Sequence, residues 1–303
     1  MSEKLVFELL NDLPKDETIY YRSNPGNAGD ALIASGAYKL FDKAGLKIEL
    51  IDPATFNATD KIVIYAGGGN LVGIYPEARD FFFKHHKTAK QFILLPHTVT
   101  KNEDLLSELG NNVTLFAREK VTYQHLNANA TNANVYLDHD LALHLDVKKI
   151  LNYKTIGIIE ASVKKLVYGK YNKKRYAIPS PKIMLKNSIY EGKSKLQPKG
   201  QVGNFFRDDV EAIGKTLPPD NADLSKIYEY GTQNRELTDY TVARLMKHIN
   251  RFDHIHTDRL HICIAAALLG KKVDFHPNSY FKCKAVYEYS LKERFPSISW
   301  KSA

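Results

Sequence analysis

Cysteine is scarce in this chain of 303 residues, which has only Cys263 and Cys283, together with a single tryptophan. Cys263 lies in an apolar helical pattern, where a buried and unreactive thiol is the usual situation. Two cysteines provide no disulfide framework for a chain of this length. We therefore expect a reducing, cytoplasmic location.

Long apolar segments are also lacking. No run approaches the roughly 18–20 residues that cross a bilayer. The first residues, MSEKLVFELLNDLPKDE, carry acids within their short apolar part and show no small-residue cleavage site, so no signal peptide is expected. The composition is 44% hydrophobic, 25% charged and 11% aromatic, as in a soluble globular protein. The length allows two domains, each with its own core.

Acidic residues are nearly absent from residues 164–200, the basic segment. It carries eleven Lys and Arg residues against one acid, Glu191, and so accounts for the net charge of +9. The segment fits a solvated loop, a contact with an anionic membrane, or a contact with a diphosphate-linked substrate. Because the remainder of the chain is close to neutral, we expect no nucleic-acid partner. A membrane contact would place the protein at the inner face of the membrane.

The first half of the chain alternates strand and helix patterns with short connections. Such alternation predicts a parallel sheet covered on both faces, that is, a Rossmann-like α/β domain over residues 1–150. Ligands of these sheets bind at the carboxyl ends of the strands. The predicted strands are 18–22, 47–52, 61–67, 91–97, 112–117 and 134–138, and the predicted helices are 31–45, 76–88, 103–110 and 119–127.

The second half, residues 151–303, has weaker patterns until its last third. TIGIIEAS, residues 155–162, is a plausible strand. The β-α-β alternation then returns near the carboxyl terminus, with apolar positions at helical spacing. The predicted elements there are a helix at 237–252, strand 253–257, a helix at 258–270 ending at Gly270, strand 271–277 and a helix at 284–293.

Two glycine-bearing loops follow predicted strands. NPGNAGDALIASGA, residues 24–37, allows close backbone approach before a helix N-terminus that can hold an anion, although a purely structural turn is an equal alternative. It lacks the GK[ST] ending of a phosphate-binding loop. IYAGGGNLVG, residues 64–73, predicts a tight turn, and Val72 stands where a dinucleotide fingerprint needs its third glycine. No nicotinamide or flavin cofactor is therefore expected.

Two patterns raise the question of a metal. Asp138 and Asp140 form an Asp-x-Asp sequence like that of many metal-dependent glycosyltransferases, but a polar connector is the alternative that we favour. His254 and His256 point to the same face of a predicted strand, and His261 follows across a turn. Zinc usually requires four ligands, and no fourth is obvious nearby. We expect no metal site.

Arg259 and His261 stand in the predicted first turn of an otherwise apolar helix. A helix N-terminus carries partial positive charge, so cations there oppose local propensity, as is expected of functional sites. The guanidinium fork suits a carboxylate or phosphate. Imidazole two residues later can give a proton to a molecule held by that fork. A capped helix with a solvated arginine and a packed histidine is the alternative.

Seven segments, taken in order, resemble the polysaccharide pyruvyl transferase family. They cover most of the chain except the N-terminal residues and the basic segment. Two departures occur: the family's usual LPQS is LPHT here, and Phe281 replaces the glycine that usually follows NSY. The segments are GNAGDALI (26–33), GGGNL (67–71), LPHT (95–98), FAREKVTY (116–123), FFRDDVE (205–211), HTDRLHICIAAALLGKKV (256–273) and NSYFKCKAVYEY (278–289).

The resemblance implies two Rossmann-like domains facing a cleft, as in B-type glycosyltransferases. It also implies transfer of pyruvate from phosphoenolpyruvate to two hydroxyls of one sugar, which forms a cyclic ketal without a metal or organic cofactor. Transferred to this sequence, Arg118, Arg259 and Lys282 would bind phosphoenolpyruvate, and His261 would act as general acid. The acceptor would be a lipid-linked oligosaccharide, a sugar nucleotide or a finished polymer of exopolysaccharide, capsule or cell wall.

The glycine loops, at the strand ends of the first domain and facing the cleft, are assigned to the acceptor sugar, and so is Arg207 of the FFRDDVE segment. Arg207 and Asp208 either line the cleft or brace it. A sugar-nucleotide-dependent glycosyltransferase of the same architecture and a non-catalytic glycan-binding protein of capsule assembly remain as alternatives. The residues assigned to the acceptor are Asn27, Asp30, Gly68, Gly69, Asn70 and Arg207.

Overall fold

The structure is a computed structural model that describes residues 5–167, 179–195, 202–209, 211–214 and 216–302. The chain divides into two compact units. The first comprises Met1–Asn24, Gly36–His144 and Glu288–Ser290. The second comprises Pro25–Ser35, Leu145–Tyr287 and Leu291–Ala303. Both contain a parallel sheet with intervening helices, which confirms the expected α/β class.

The first unit contains seven parallel strands in the order β2-β1-β3-β5-β6-β7, with β4 also paired to β5. Residues of β3 and β6 are buried without alternation, because a parallel sheet covered on both faces needs apolar side chains on each. The strands are β1 (Thr18–Arg22), β2 (Lys47–Leu50), β3 (Ile62–Tyr65), β4 (Gly68–Leu71), β5 (Gln91–Val99), β6 (Val113–Ala117) and β7 (Asn134–Leu137).

Five helices precede or connect these strands, and a 3₁₀ turn, Leu141–His144, follows the last. The second helix begins at Ala28, three residues before the predicted start, because the Asn27 side chain accepts a hydrogen bond from the Gly29 amide and caps the first turn. Its first residues, up to Ser35, belong to the second unit. The helices are α1 (Val6–Asp12), α2 (Ala28–Lys43), α3 (Pro76–His85), α4 (Glu103–Glu108) and α5 (Lys120–Asn129).

The second unit contains a four-stranded parallel sheet in the order β11-β10-β9-β8. A π-helical turn, Tyr287–Leu291, precedes the last strand, and its central residues, Glu288–Ser290, belong to the first unit. The strands are β8 (Val202–Asn204), β9 (His254–Thr257), β10 (Lys272–Phe275) and β11 (Ile298–Trp300). The helices are α6 (Val147–Asn152), α7 (Ile158–Val167), α8 (Pro181–Lys195), α9 (Leu224–Ile227), α10 (Arg235–Ile249), α11 (Leu260–Leu268) and α12 (Lys282–Val286).

The strand predicted at 155–162 is wrong, since these residues enter helix α7 at Ile158. A short apolar run does not distinguish a strand from a helix, and the Glu160–Lys164 ion pair at i,i+4 supports the helix. Of the basic segment, residues 168–178 and 196–200 lie outside the described residues. Across the described ranges, no helix is both long enough and apolar enough to span a bilayer.

The GGGNL segment also departs from its prediction. The expected tight turn is instead the short strand β4, in which Gly68 pairs with His97 of β5. Gly68 has φ = 141°, a conformation that favours glycine. Gly68 and Gly69 therefore extend the sheet rather than ending it.

Candidate active site

The turn from β9 into α11 presents Arg259 at the start of a buried helix. Arg259 is the extended N-cap residue, one position before the first turn in which it was predicted. Its amide donates to Thr257 Oγ1, which in turn donates to the carbonyl of Phe205 on the chain after β8. Hydrogen bonds thus hold the backbone of the turn, and the position of the Arg259 side chain follows from it.

Two carboxylates hold the guanidinium of Arg259. Its Nη2 lies 2.8 Å from Asp209 Oδ2 and also donates to Asp223 Oδ2. The residue is only 5% exposed, and its Nε has no hydrogen-bond partner among the described residues. A buried donor without an acceptor is costly. The Nε of Arg259 is therefore a position where the oxygen of a ligand would be stabilised.

Arg207 and Lys282 form the adjoining part of the same charged cluster. Arg207 Nε lies 2.7 Å from Asp209 Oδ1, and its Nη1 lies 2.5 Å from Glu211 Oε2. Lys282 Nζ donates to that same Glu211 oxygen over 2.7 Å. Arg207, Arg259 and Lys282 are thus joined through shared carboxylates. Of the two roles left open for Arg207, these contacts fit bracing.

The pKa directions follow from these contacts. Burial alone would raise the pKa of Asp209 and of Glu211. The hydrogen bond from Arg207 and the charge of Arg259 outweigh burial at Asp209, and its pKa is lowered. The charges of Lys282 and Arg207 do the same for Glu211. Both carboxyls are therefore ionised counter-ions of the buried cations.

A cavity of about 220 Å³ opens beside this cluster, where the carboxyl ends of β8, β9 and β10 meet. Asp258 lines it, and burial raises the pKa of this carboxyl to about 6. The volume is below the roughly 300–1,000 Å³ of drug-sized pockets, so it suits a small polar molecule. The lining residues are Phe206, Arg207, Asp208, Asp209, Ala212, Ile213, Gly214, Leu217, Asp258, His276 and Pro277.

His261, in the first turn of α11, lies against the NAGD loop (residues 27–30), which forms the cap and first turn of α2. A Cβ placed on Gly29 would be 2.7 Å from His261 Nδ1 and 3.0 Å from Asn27 Oδ1. Only glycine permits this approach. The structure therefore brings the predicted acid, His261, together with Asn27, which was assigned to the acceptor. The pKa of Glu229 is raised, first by burial and second by the negative charge of nearby Asp30.

The remaining predicted acceptor residues lie in the first unit. The backbone N–H of Asn70 on β4 donates to His97 Nε2, and the Asn70 side-chain amide donates to the Tyr65 hydroxyl. His97 Nδ1 donates to the carbonyl of Ala66. The Oδ1 of Asn70 is buried without a hydrogen-bond partner among the described residues. Gly68 and Gly69 thus form strand backbone, and Asn70 presents one unused acceptor.

Arg118 is buried in the first unit, where protein groups hold its guanidinium. It is 1% exposed, its Nε donates to Thr98 Oγ1, and its Nη1 forms a 2.8 Å ion pair with Asp140. Asp138 accepts hydrogen bonds from the amides of Val6 and His139. Asp138 and Asp140 are therefore both engaged by protein groups, as expected of a polar connector.

Several carboxylates of the site had no place among the predicted site residues. Asp209 and Glu211 lie in the FFRDDVE segment, the same motif from which Arg207 and Asp208 were considered. The motif itself could therefore have indicated them. Asp223 and Glu229 occur in a stretch of irregular structure and weak periodicity. Their approach to Arg259 and Asp30 results from the tertiary fold, which no local pattern encodes.

The fold and the site define an α/β protein with parallel sheets and a buried cationic cluster at the carboxyl ends of its strands. The chain belongs to the polysaccharide pyruvyl transferase family, whose sequence profile matches residues 27–273. A Bacillus subtilis (strain 168) protein named "Putative pyruvyl transferase EpsO" is 25% identical over 310 residues, covering 95% of this chain and 90% of that protein.

A solved structure extends the likeness to the fold. The crystal structure of an uncharacterized protein from Klebsiella pneumoniae subsp. pneumoniae NTUH-K2044 superposes with a TM-score of 0.75 and 27% sequence identity. The match covers 98% of this chain and 97% of that one. Both relatives therefore align with almost the whole length of the chain described here.

Proposed function

We propose that this protein transfers pyruvate from phosphoenolpyruvate to two hydroxyls of one sugar in a surface glycan or its precursor. The product is a cyclic ketal, and phosphate is released. Membership of the pyruvyl transferase family supports the transferred group and the glycan acceptor. The donor, the ketal and the roles of individual residues are our inference.

The observation that carries the proposal is the setting of Arg259. Its buried Nε lacks a partner among the described residues, and it stands at the N-terminus of α11, a helix of nine residues. Free backbone N–H groups and the helix dipole favour an anion at such a terminus. Phosphoenolpyruvate brings a carboxylate and a phosphate. Arg259 would bind one of them, and Lys282 would assist departure of the phosphate.

His261 would supply the proton that starts the reaction. Protonation of the methylene carbon of phosphoenolpyruvate leaves a cationic C2, to which the first sugar hydroxyl adds. The proton of that hydroxyl returns to His261. Cleavage of the C–O bond to phosphate and attack by the second hydroxyl then close the ring, and the second proton leaves with the phosphate. Imidazole is suited to exchange protons near neutral pH.

The other assigned residues enter the proposal with different support. Asn27 and Asp30 are favoured as acceptor ligands because the NAGD loop contacts His261. In the first unit, Asn70 contributes an unused acceptor atom, and Gly68 and Gly69 contribute strand backbone. In the second unit, Arg207 would brace Arg259 through Asp209. For Arg118, a role towards phosphoenolpyruvate rests on the family resemblance alone, because Thr98 and Asp140 hold its guanidinium.

The scheme uses protein side chains and requires no metal or organic cofactor in the transfer step. We propose a cytoplasmic reaction. The positive charge of the basic segment favours an anionic acceptor close to the membrane, such as a diphosphate-linked oligosaccharide or a sugar nucleotide.

Calorimetric titration with phosphoenolpyruvate, UDP and UDP-glucose tests the donor. Saturable phosphoenolpyruvate binding that Arg259→Ala abolishes is expected, and Arg259→Lys should restore only part of it because the planar fork is lost. Arg79→Ala, which removes a partly exposed guanidinium from the first unit, is the matched control. Binding of UDP without binding of phosphoenolpyruvate would instead favour a glycosyltransferase.

His261→Gln separates chemistry from binding. It should retain phosphoenolpyruvate affinity within a few-fold and reduce phosphate release, measured with an extract of glycan precursors as acceptor, by about 10²–10⁴. A variant that released phosphate at the wild-type rate would remove His261 from the mechanism.

A further inference from the structure

A second group of chemically active side chains lies on one face of the four-stranded sheet. In the parallel pairing of β9 with β10, His256 is registered with Asp274 and His254 with Lys272. Side chains two residues apart on a strand share a face. His254 and His256 therefore project together, and Asp274 projects beside His256 from the neighbouring strand.

The three side chains converge on one point. His254 Nε2 is 3.5 Å from Asp274 Oδ1, and His256 Nε2 is 3.5 Å from Asp274 Oδ2. All of the candidate ligand atoms lie within 4.8 Å of one another. Zinc binds nitrogen and oxygen at about 2.0–2.2 Å in a tetrahedron, which separates its ligand atoms by roughly 3.3–3.6 Å. The two histidine–carboxylate distances match this separation, and ligand atoms that lie up to 4.8 Å apart would have to approach by about 1 Å to bind one ion.

We propose that His254, His256 and Asp274 bind a divalent cation of the Zn²⁺ or Ni²⁺ type, with water completing its coordination. Two imidazoles and a carboxylate suit such borderline ions better than Mg²⁺ or Ca²⁺, which prefer oxygen ligands alone. The sequence suggested His261 as the third candidate ligand beside the two histidines. In the structure the third ligand is instead Asp274, on the strand that follows α11.

Burial and charge support this assignment. The three side chains are 34%, 30% and 17% exposed, so the ligands are partly shielded and still accessible to an ion. The Asp274 carboxylate supplies negative charge beside the two imidazoles, and neutral imidazole is the form that binds metals. The ion would join β9 to β10 directly and would stabilise the sheet. The site is independent of the proposed pyruvyl transfer.

Lys301 provides the sharpest test. Its Nζ lies 3.0 Å from Asp274 Oδ1, where the ammonium balances the carboxylate. A bound divalent cation would be repelled by the positive charge of Lys301. The side chain is 39% exposed and can turn into solvent, but its charge still reduces metal affinity. Removal of Lys301 should therefore strengthen binding, whereas removal of a ligand should weaken it.

The experiment uses the untagged full-length chain after chelator treatment. ZnCl₂ and NiCl₂ are titrated by calorimetry, and Ni²⁺ also by the fluorescence of Trp300, the single tryptophan, on the strand next to β10. We expect saturation at one ion per chain. His256→Ala and Asp274→Asn should each lose at least about tenfold in affinity, since changes even in outer-shell partners cost 10–100-fold. Lys301→Met should gain affinity.

His125→Ala, which removes a histidine from the first unit, is the control and should bind as the wild type does. His254→Ala, at a partly exposed position, gives a ligand variant for which folding is not at risk, and circular dichroism checks each protein. Absence of saturable binding up to millimolar metal would overturn the proposal. Equal affinity in the wild type and in the His254, His256 and Asp274 variants would do so as well.

Discussion

Gly29 and His261 approach each other so closely that a methyl group on Gly29 would lie 2.7 Å from the imidazole Nδ1. A methyl carbon does not pack this close to a ring nitrogen, so a side chain at position 29 must displace the imidazole. The glycine of the NAGD loop thus sets the position of the proposed general acid.

Gly29→Ala tests this relationship. Because a misplacement of about 1 Å can cost 10²-fold in rate, phosphate release from phosphoenolpyruvate should fall at least tenfold. Alanine is a better helix former than glycine, so the melting temperature should not fall in proportion to the loss of activity. Gly157→Ala is the control, since a Cβ there meets nothing within 4 Å. A Gly29→Ala protein with wild-type turnover would show that the packing is not needed.

Glu211 is predicted to be a main electrostatic support of the second unit, because it pairs with both Arg207 and Lys282 and is almost fully buried. Glu211→Ala leaves two buried cations without this partner and should lower the free energy of unfolding by about 3–5 kcal/mol in urea denaturation. Glu108→Ala removes the exposed partner of Lys87 and should cause no measurable change.

The pH dependence of this effect has a defined sign. The pKa of Glu211 is lowered from its ordinary 4.5, because the charges of Lys282 and Arg207 outweigh burial. The stabilisation is therefore complete above pH 4.5 and is lost as the pH falls through the lowered folded pKa. The difference in unfolding free energy between wild type and Glu211→Gln should shrink on acidification below pH 4.5. A difference that stayed constant would contradict the assignment.

The sequence predicts much of the first unit because its strands are long, apolar and regularly spaced. The same reasoning fails at GGGNL, where main-chain pairing with β5 gives glycines a strand conformation that propensity opposes. It fails at Ile158–Val167 because a short apolar run fits either a strand or a helix. The strands β8 and β11, with three residues each, are too short to leave a pattern.

The candidate site was predictable where a residue violated a local rule. Arg259 and His261 stand out because cations are unfavourable at a helix N-terminus. The carboxylates that hold Arg259 were not predictable in the same way. Asp223 is separated from it by 36 residues, and their pairing depends on how β8, α9 and β9 pack. Local sequence therefore indicates the cations of the site, whereas the fold supplies their counter-charges.

Both cysteines should be inert in the native protein. Burial raises the pKa of Cys263 well above its ordinary value and that of Cys283 to about 11, and neither side chain is exposed. The thiolate is the reactive form. An aromatic disulfide reagent at pH 8 should therefore label no thiol in the folded chain and two in urea. Rapid labelling of one equivalent without denaturant would contradict this, and Cys283→Ala would show which thiol had reacted.

His97 explains how LPHT can replace the LPQS of the family. Its Nδ1 donates to the Ala66 carbonyl, and its Nε2 accepts from the Asn70 amide, so one ring joins the ends of β3 and β4. A glutamine offers the same pair of functions, with an N–H donor and a carbonyl acceptor. His97→Gln should therefore cost less than about 1.5 kcal/mol in urea denaturation.

His97→Ala should cost about 2–4 kcal/mol, because it leaves a cavity and two buried backbone groups without their partner. The position of Asn70, a proposed acceptor ligand, should also change, since its backbone N–H loses the hydrogen bond to His97. We therefore expect the alanine variant, and not the glutamine variant, to raise the KM for acceptor. Equal destabilisation by both substitutions would mean that the ring packs against its neighbours and that its hydrogen bonds contribute little.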